Sequence, residues 1–393
     1  MANRNGGFIG TDGLDAPDPP TAVTSSAGVS SVRVAFTAPT DTGTSAITGF
    51  VAQVSTNDTA YNAGSGTGTS SPIIVSSLSN GTAYTAKVWA INAYGTSAPS
   101  AASGSATASS ATGLIGGGLE SDGTQNRIQF INISSTGNAG DFGDLLAGKP
   151  YTAAVGSATR AVWGGGNNNV IEFVLFSTAG NATDFGDLSA NRGYLAGCGS
   201  ATRGLFGGGS PNGNVIDYIT IASEGNATDF GDLSTAKYSI GALSSTTRGV
   251  FAGGDAGSGA FNVIEYVTIA NTGNASDFGD LTVARERVSG AASATRGVFG
   301  GGQGNNTNVM DYITIANTGN ASDFGDLSFA GGFRASLSNK TRGVWAGGVG
   351  AADYNNAIDY ISIASTGNSS DFGDLVAANQ ASAGASSAHG GIA

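Results

Sequence analysis

The chain has 393 residues, of which 40% are hydrophobic, 11% are charged and 65 are glycine, a composition that excludes a disordered protein and is typical of short strands joined by tight turns. Its net charge of −12, without any run of Lys or Arg, argues against binding to DNA or RNA, which requires clustered cations. A single cysteine, Cys198, excludes an intrachain disulfide and a cysteine-based zinc site, and no apolar run is long enough to insert into a membrane.

The N-terminal part of the chain divides at a change in composition. Residues 1–14 are rich in Gly, Asn and Asp, lack the apolar core of an export signal, and predict a flexible arm on a soluble protein. Residues 15–108 contain alternating apolar positions, such as Val32, Val34 and Phe36 in SVRVAFTAP, which predict half-buried strands.

Residues 15–108 also resemble a fibronectin type III domain over nearly their whole length. An aromatic residue, Phe36, precedes the turn at Ala38-Pro39. The later part of the family pattern is matched by Leu78, Gly81, Tyr84, Val88, Ala90, Asn92, Gly95 and Ser97. The resemblance implies a two-sheet sandwich in which the Tyr84 hydroxyl bonds to upstream backbone, and a spacer or binding module instead of a catalyst.

From residue 111 onward one unit repeats six times, each copy marked by the sequence DFGDL. The copies begin at Asp141, Asp184, Asp229, Asp277, Asp323 and Asp371, 43 to 48 residues apart. The Asp-Phe-Gly triplet of a kinase occurs once and needs a His-Arg-Asp loop, which is excluded because the only histidine is His389. Each unit predicts four short strands, and the units start near residues 111, 158, 201, 246, 294 and 340.

These units resemble kelch-like repeats, although Phe-Gly-Asp-Leu replaces the family's Trp-containing segment. Each has a small-residue run, an apolar strand ending in Gly-Gly, and a strand with a central aromatic residue, namely Phe130, Phe173, Tyr218, Tyr266, Tyr312 or Tyr360. The implied fold is all-β, with the fibronectin III-like β-sandwich followed by a six-bladed β-propeller at 111–393. Because the first unit starts at its second strand, we expect residues 376–388 to return and close the ring as the innermost strand of the first blade.

We interpret DFGDL as a structural turn. It is similar to the Asp-box turn of sialidase-type propellers, although the Ser two residues before the Asp is missing. We expect the first Asp to cap backbone amides, the Phe to pack between blades, the Gly to supply a positive φ, and the Leu to enter the core.

Two charged positions also recur once per unit. Arginines precede the apolar strand at Arg160, Arg203, Arg248, Arg296 and Arg342, while the first unit has Gly113 there. Carboxylates precede the central aromatic residue at Glu172, Asp217, Glu265, Asp311 and Asp359. The arginines could bind an anionic sugar and paired carboxylates could hydrolyse glycosides. Regular recurrence favours structural roles for both, with each Arg paired to a DFGDL aspartate.

We expect no catalytic residue, no cofactor and no metal. A copper oxidase and a Ser-His-Asp triad both need histidines that the repeats lack, and the Asn- and Asp-rich segments show neither EF-hand nor RTX spacing, which leaves calcium as a minor alternative. The loops after Gly-Gly differ between units and indicate a recognition surface. Their aromatic residues, Phe261 and Tyr354, could stack on sugar rings or be incidental.

The domain combination resembles virion proteins of tailed phages, especially phages of marine bacteria. The resemblance implies a non-enzymatic tail, fibre or capsid-surface component at the particle surface. Its arm or fibronectin-like domain would contact other virion proteins, and its propeller would contact a host-surface glycan or protein. The alternatives are an extracellular, secreted bacterial protein that binds or hydrolyses glycans, and an intracellular kelch-type scaffold.

Overall fold

The computed structural model describes residues 15–28, 31–79, 82–108, 111–211, 213–303, 307–350 and 353–392. The expected arm at residues 1–14 and Gly81 of the fibronectin-like pattern lie outside this part of the chain. The described secondary structure is β apart from one short 3-10 helix, Gly390–Ile392. The chain divides into two compact units, Met1–Ser110 and Ala111–Ala393.

The first unit is built from two antiparallel sheets. Its strands are β1 (Thr21–Gly28), β2 (Ser31–Thr37), β3 (Ile47–Ser55), β4 (Gly64–Gly68), β5 (Ile73–Val75), β6 (Ala83–Asn92), β7 (Gly95–Thr96) and β8 (Ala106–Thr107). One sheet has the order β1-β2-β5 and the other the order β4-β3-β6-β7, with β8 also paired to β6.

Alternating side chains of these sheets form a single core. Val32, Val34 and Phe36 of β2 all point inward, and the Phe36 ring lies 4.8 Å from that of Phe50 on the opposite sheet. The Tyr84 hydroxyl accepts a hydrogen bond of 3.1 Å from the amide of Ser79, which confirms the expected tyrosine corner.

The end of the first unit follows β6 through serine side chains spaced three residues apart. Ser97, Ser100 and Ser103 each accept a hydrogen bond of 2.9 Å from an amide of β6. Their own amides donate back to carbonyl groups of β6. Serine hydroxyls and serine amides therefore satisfy the amides and carbonyls along this edge of β6 without a continuous strand.

The second unit contains six four-stranded antiparallel sheets. Sheet 1 consists of β9 (Thr112–Gly116), β12 (Arg127–Asn132), β13 (Gly140–Asp144) and β34 (Ala383–Ser386), with the hairpin β10 (Leu119–Glu120) and β11 (Gly123–Thr124) inserted. Sheet 2 consists of β14 (Thr152–Gly156), β15 (Arg160–Gly165), β16 (Asn168–Leu175) and β17 (Thr183–Arg192). Sheet 3 consists of β18 (Ala196–Gly199), β19 (Arg203–Gly207), β20 (Val215–Thr220) and β21 (Thr228–Asp232).

The remaining sheets follow the same order. Sheet 4 consists of β22 (Gly241–Ser244), β23 (Arg248–Ala252), β24 (Val263–Thr268) and β25 (Ser276–Asp280). Sheet 5 consists of β26 (Ser289–Ala292), β27 (Arg296–Gly300), β28 (Val309–Thr314) and β29 (Ser322–Asp326). Sheet 6 consists of β30 (Ala335–Ser338), β31 (Arg342–Ala346), β32 (Ala357–Ser362) and β33 (Ser370–Asp374).

The innermost strands contact one another in a closed cycle, from β34 through β14, β18, β22, β26 and β30 back to β34. They enclose a central cavity of about 150 Å³. Small residues are required because the strands approach closely: a Cβ on Gly197 would lie 2.3 Å from the Ala154 carbonyl oxygen. Strand β34, the C-terminal run, pairs with β9 from Ser386–Gly113 to Ala383–Gly116.

The DFGDL segment forms the outer strand of each sheet and is not a turn, which corrects the interpretation from sequence. In sheet 4, Glu265 pairs with Asp277 and Ile264 with Gly279, so Phe278 is the extra residue of a β-bulge. The bulge turns the Phe ring into the space between sheets, where it is buried. The first aspartates are exposed, and among the described residues their side chains cap no backbone amide. Gly and Leu do behave as expected, since Gly279 has a φ of 144° and Leu281 is buried.

Candidate functional site

The recurring arginines join each sheet to the next, and the junctions between consecutive sheets are here called seams. The guanidinium of Arg203 lies 4.4 Å above the Tyr218 ring of its own sheet. It also donates a hydrogen bond of 2.8 Å to the carbonyl of Ile269 in the following sheet. The same clamp recurs at Arg160, Arg248, Arg296 and Arg342, and Arg342 closes the cycle by bonding to Ile133 of sheet 1.

This geometry corrects the expected pairing of these arginines with DFGDL aspartates. A stacked guanidinium keeps its charge while its N–H groups satisfy carbonyl groups of the neighbouring sheet. In sheet 1 the register places Thr112, and not Gly113, at the arginine position. Without a clamp Phe130 is 42% exposed, whereas the other five central aromatic residues, each beneath an arginine, are less exposed.

The recurring carboxylates are buried and ion-paired, which supports a structural role. Each pairs with a cation on the linker that leads into its sheet from the preceding outer strand. The pairs are Lys149–Glu172, Arg192–Asp217, Lys237–Glu265, Arg285–Asp311 and Arg334–Asp359. Each carboxylate also accepts the amide hydrogen of the residue that follows DFGDL, for example Ser234 onto Glu265 at 2.7 Å.

The two partners of each pair match one another in side-chain length and in charge. The shorter cation, Lys, always faces the longer acid, Glu, and Arg always faces Asp. At the seam between sheets 6 and 1 the acid is replaced by Gln129 and the cation by Asn379. Gln129 still accepts the amide of Val376 at 2.7 Å, and Asn379 bonds to the Gly117 carbonyl at 3.1 Å. The acid and its cation are therefore lost together.

Burial lowers the pKa of the arginines in these pairs, although the aspartate partners oppose the change. The pKa of Arg334 falls to about 10, and those of Arg192 and Arg285 are also lowered. The guanidinium of Arg285 leaves Nε and Nη1 without hydrogen-bond partners among the described residues. Removing one partner of such a pair leaves a buried charge uncompensated.

A third recurring contact explains the Asn that precedes each DFGDL. The side-chain oxygen of Asn274 accepts a hydrogen bond of 3.0 Å from the amide of Asp232 in the preceding sheet. This latch occurs at all six seams, through Asn138, Asn181, Asn226, Asn274, Asn320 and Asn368. The Gly before each Asn lies against the DFG glycine of the preceding sheet, where a Cβ on Gly279 would approach backbone to 2.5 Å.

A ring of left-handed residues stands at the start of the innermost strands. One residue per sheet has a φ between 55° and 62°, at Tyr151, Tyr194, Ser239, Arg287, Phe333 and Ala381. The amide of each donates to the carbonyl of the one before, at 2.6 to 3.3 Å, and Tyr151 closes the cycle by donating to Ala381. This left-handed ring fixes the backbone at one end of the central cavity.

Four side chains of the left-handed ring, together with Tyr238 beside it, form an aromatic–arginine cluster of Tyr151, Tyr194, Tyr238, Arg287 and Phe333. The rings of Tyr151 and Tyr194 stack at 3.9 Å, and Phe333 lies 5.2 and 5.9 Å from them. Arg287 lies 4.4 Å above Phe333, and Tyr238 meets the edge of Tyr194. All five are partly exposed. Burial and a hydrogen bond with Tyr151 raise the pKa of Tyr194 to about 12.

The opposite end of the central cavity is occupied by the C-terminal segment. The imidazole of His389 donates through Nε2 to the Gly156 carbonyl at 2.9 Å and accepts through Nδ1 from the amide of Gly391. Burial lowers the pKa of His389. Gly391 lies so close to the Gly199 carbonyl that a Cβ there would overlap it. Because Nδ1 accepts a hydrogen bond, this geometry fits the neutral imidazole and not the cation, which would carry a proton on Nδ1.

The structure separates the loop aromatics from the cluster. The backbone of Phe261 holds the linker that leads from sheet 4 into sheet 5, since its carbonyl accepts the amide hydrogen of Arg285 at 3.0 Å. Tyr354 forms a bridge with Val349 in its own loop. Neither ring contacts another aromatic ring in the described part of the chain. Sequence reasoning missed the cluster, although Tyr151 and Tyr194 open two of the small-residue runs and interrupt their composition.

Two classes of site have no counterpart in the described residues. No group of three or more His, Cys, Asp or Glu side chains is placed to hold a metal ion. No helix in this part of the chain has the length and apolar character needed to cross a membrane.

Comparison with known proteins identifies only the first unit. The family model of the fibronectin type III domain matches residues 18–105, so the chain contains such a domain at its N-terminal side. No curated protein sequence matches the chain.

Proposed function

We propose that residues 111–393 form a six-bladed, kelch-like β-propeller closed by the C-terminal strand. The cyclic contacts of the innermost strands, the six repeated seams, and the pairing of β34 with β9 support this architecture. In such a fold the start of each innermost strand, the Gly-Gly loop and the DFGDL linker share one face, because the strands of each sheet are antiparallel. The left-handed ring lies at the centre of that face.

The propeller is a non-enzymatic recognition module whose face with the divergent loops binds a ligand. The observation that carries this proposal is the contrast between the aromatic–arginine cluster, whose residues are not the same in all units, and the carboxylates, which recur and are held in ion pairs. A glycosidase needs two acids free to act on a substrate, and the five buried carboxylates are held by linker cations.

The whole protein is a structural and adhesion component of a tailed-phage particle, located in the tail, a fibre or the capsid surface. The fibronectin type III domain at residues 18–105 supports this assignment, since domains of this family are commonly spacers or binding modules. In this arrangement the N-terminal region contacts other virion proteins, and the propeller contacts a glycan or protein on the host surface.

Gold-labelled antibodies against the full chain, applied to particles purified from the source culture, test the assignment. We expect labelling at the tail or capsid surface. Protein that is absent from all particles and present free in the medium would support the secreted alternative, and protein confined to the cell would support the intracellular scaffold. Release of reducing ends from glycans by the purified chain would overturn the non-enzymatic assignment.

A further inference from the structure

The left-handed ring carries large side chains where the backbone favours glycine. A non-glycine residue with φ near 60° is strained, and the DFG and Gly-Gly positions of the same units use glycine for positive φ. Tyr151, Tyr194, Arg287 and Phe333 nevertheless occupy this ring. Their side chains converge on one another and not on the core, and they remain partly exposed.

Arg287 differs in its surroundings from the five arginines of the seams. Those arginines donate to carbonyl groups of the next sheet, whereas the guanidinium of Arg287 donates no hydrogen bond to the described residues, and its Nε is buried without an acceptor in hydrogen-bonding geometry. Its Nε lies 3.4 Å from the Glu286 carboxylate, and its side chain is 29% exposed. The planar edge of the guanidinium is therefore available to an external acceptor.

The groups beside that edge restrict the acceptor. Phe333 and the Tyr151–Tyr194 stack provide apolar surfaces, and the Tyr194 hydroxyl, whose pKa is raised by burial, can donate a hydrogen bond. A small cavity of about 80 Å³ lies beside the ring, lined by the ring residues, among them Tyr194, Arg287 and Phe333, and by the residue that follows each of them. A carboxylate matches the Arg fork in shape and charge, and the apolar face of a sugar ring matches an aromatic surface.

We propose that the aromatic–arginine cluster is a binding site for a glycan that carries a carboxylate, such as a polymer of hexuronic or sialic acid. Arg287 binds the carboxylate, and the rings of Tyr194 and Phe333 contact the sugar that bears it. Because the net charge of −12 opposes long-range attraction of a polyanion, recognition depends on the local contact with Arg287. The inference rests on the proposed recognition function and narrows its ligand.

Binding of the purified full chain to oligomers of galacturonic acid, glucuronic acid and N-acetylneuraminic acid tests the site. Each oligomer is measured beside its carboxyl-reduced counterpart, which keeps the ring and loses the charge. We expect at least one acidic oligomer to bind about tenfold or more tightly than its reduced form. Equal binding of the two forms, or no binding of any acidic oligomer, overturns the inference.

Two variants assign the binding to the cluster. Arg287→Gln should lower the affinity about tenfold or more, whereas Arg127→Gln should leave it unchanged. Arg127 is the matched control because its side chain is also 29% exposed and paired with a glutamate, Glu120, outside the cluster. Tyr194→Gly should also weaken binding with little change in the melting temperature, because glycine suits the local backbone. Loss of stability with unchanged binding would show that the cluster is only a plug for the cavity.

The outcomes separate this inference from the proposed function. Adhesion of the chain to host cells that persists in Arg287→Gln would leave the recognition function intact and remove the acidic-glycan site. Absence of the protein from phage particles, with carboxylate-dependent binding retained, would remove the virion assignment and leave the site.

Discussion

The seams between the sheets and the left-handed ring are both repeated six times, but they differ in how strictly the sequence repeats. At the seams the Asn latch occurs in all six copies, and the Arg clamp and buried ion pair in five. In the left-handed ring the backbone repeats, while the residues are Tyr, Tyr, Ser, Arg, Phe and Ala. Contacts that must fit an identical neighbour conserve both partners, and a ring held by its own backbone leaves its side chains free to differ.

The exceptions at the seams support this distinction. Where the acid becomes Gln129, the cation becomes Asn379, so the buried pair changes as a unit. Where Thr112 replaces the clamp arginine, the Phe130 ring is exposed. A replacement at one seam residue is therefore matched by a change at its partner, whereas the residues of the left-handed ring show no such matching.

The largest effect is expected from breaking one ion pair. Glu172→Gln or Lys149→Asn alone should lower the free energy of unfolding by about 3–5 kcal/mol, because each leaves a buried charge unpaired. The double variant copies the Gln129 and Asn379 arrangement and should lose much less. Urea denaturation of the four proteins gives the coupling energy. Additive losses would show that the two residues do not act as a pair.

Crowding a DFG glycine should come next. Gly279→Ala should lower the free energy of unfolding by about 2–4 kcal/mol, because the added Cβ meets backbone of the next sheet at 2.5 Å and φ is 144°. Gly319→Ala is the matched control, since its φ is 153° and nothing lies within 4 Å of the added atom. Equal losses in chemical denaturation would mean that contact across the seam contributes nothing.

Removing a clamp should have an intermediate effect. Arg203→Met loses the stacking on Tyr218 and the hydrogen bond to Ile269, which together stabilise the fold by about 1–2 kcal/mol. The reciprocal variant, Thr112→Arg, adds a clamp at the seam that lacks one and should raise stability by up to about 1 kcal/mol. Thermal melting of both variants measures the two effects. A lower melting temperature in Thr112→Arg would contradict the stabilising role of the clamp.

The left-handed ring should tolerate a change that the seams do not. Tyr194→Gly removes aromatic contacts worth about 1 kcal/mol and relieves a left-handed tyrosine that costs about as much, so stability should change by less than about 1 kcal/mol. Chemical denaturation measures the difference. A loss as large as that of a broken ion pair would place the ring among the structural contacts.

The smallest effect is expected from a fall in pH, which acts on His389 at the other end of the central cavity. The folded pKa of His389 lies below its ordinary value near 6.5, so the stability given by neutral histidine is complete above pH 6.5 and is lost as the pH falls through the folded pKa. His389→Gln keeps an acceptor and a donor but cannot titrate. The melting temperature of the natural chain should fall more steeply from pH 7.5 to 5 than that of the variant.

Much of the frame is readable from the sequence because each element has a local signal. The alternation in SVRVAFTAP predicts β2, and the small-residue runs predict the innermost strands. The bulge at Phe278 is not readable, since DFG suits either a turn or a strand until the register with Glu265 is known. The partner of the clamp arginine is not readable either. The sequence offers the DFGDL aspartates as partners, and the stacking of Arg203 on Tyr218 depends on which strands are neighbours.

The partners of the carboxylates could have been found from the sequence. A Lys or Arg stands four residues after the Leu of DFGDL in four of the units, whereas the fifth has Gly331 at that position and its cation is Arg334. The joint loss of charge at Gln129 and Asn379 is the stronger signal. The left-handed ring had no such signal, because Tyr, Arg and Phe rarely adopt positive φ and only the closed cycle of hydrogen bonds imposes it.

The pairing of β34 with β9 has a consequence for the order of events during synthesis. Strand β9 emerges early from the ribosome, but its partner at Ala383–Ser386 is made only after every other strand of the repeats. Until then one side of β9 presents unpaired amides and carbonyls, which other strands can capture. Nascent chains should therefore depend on chaperones throughout translation of the repeats and lose that dependence when the last strand is released.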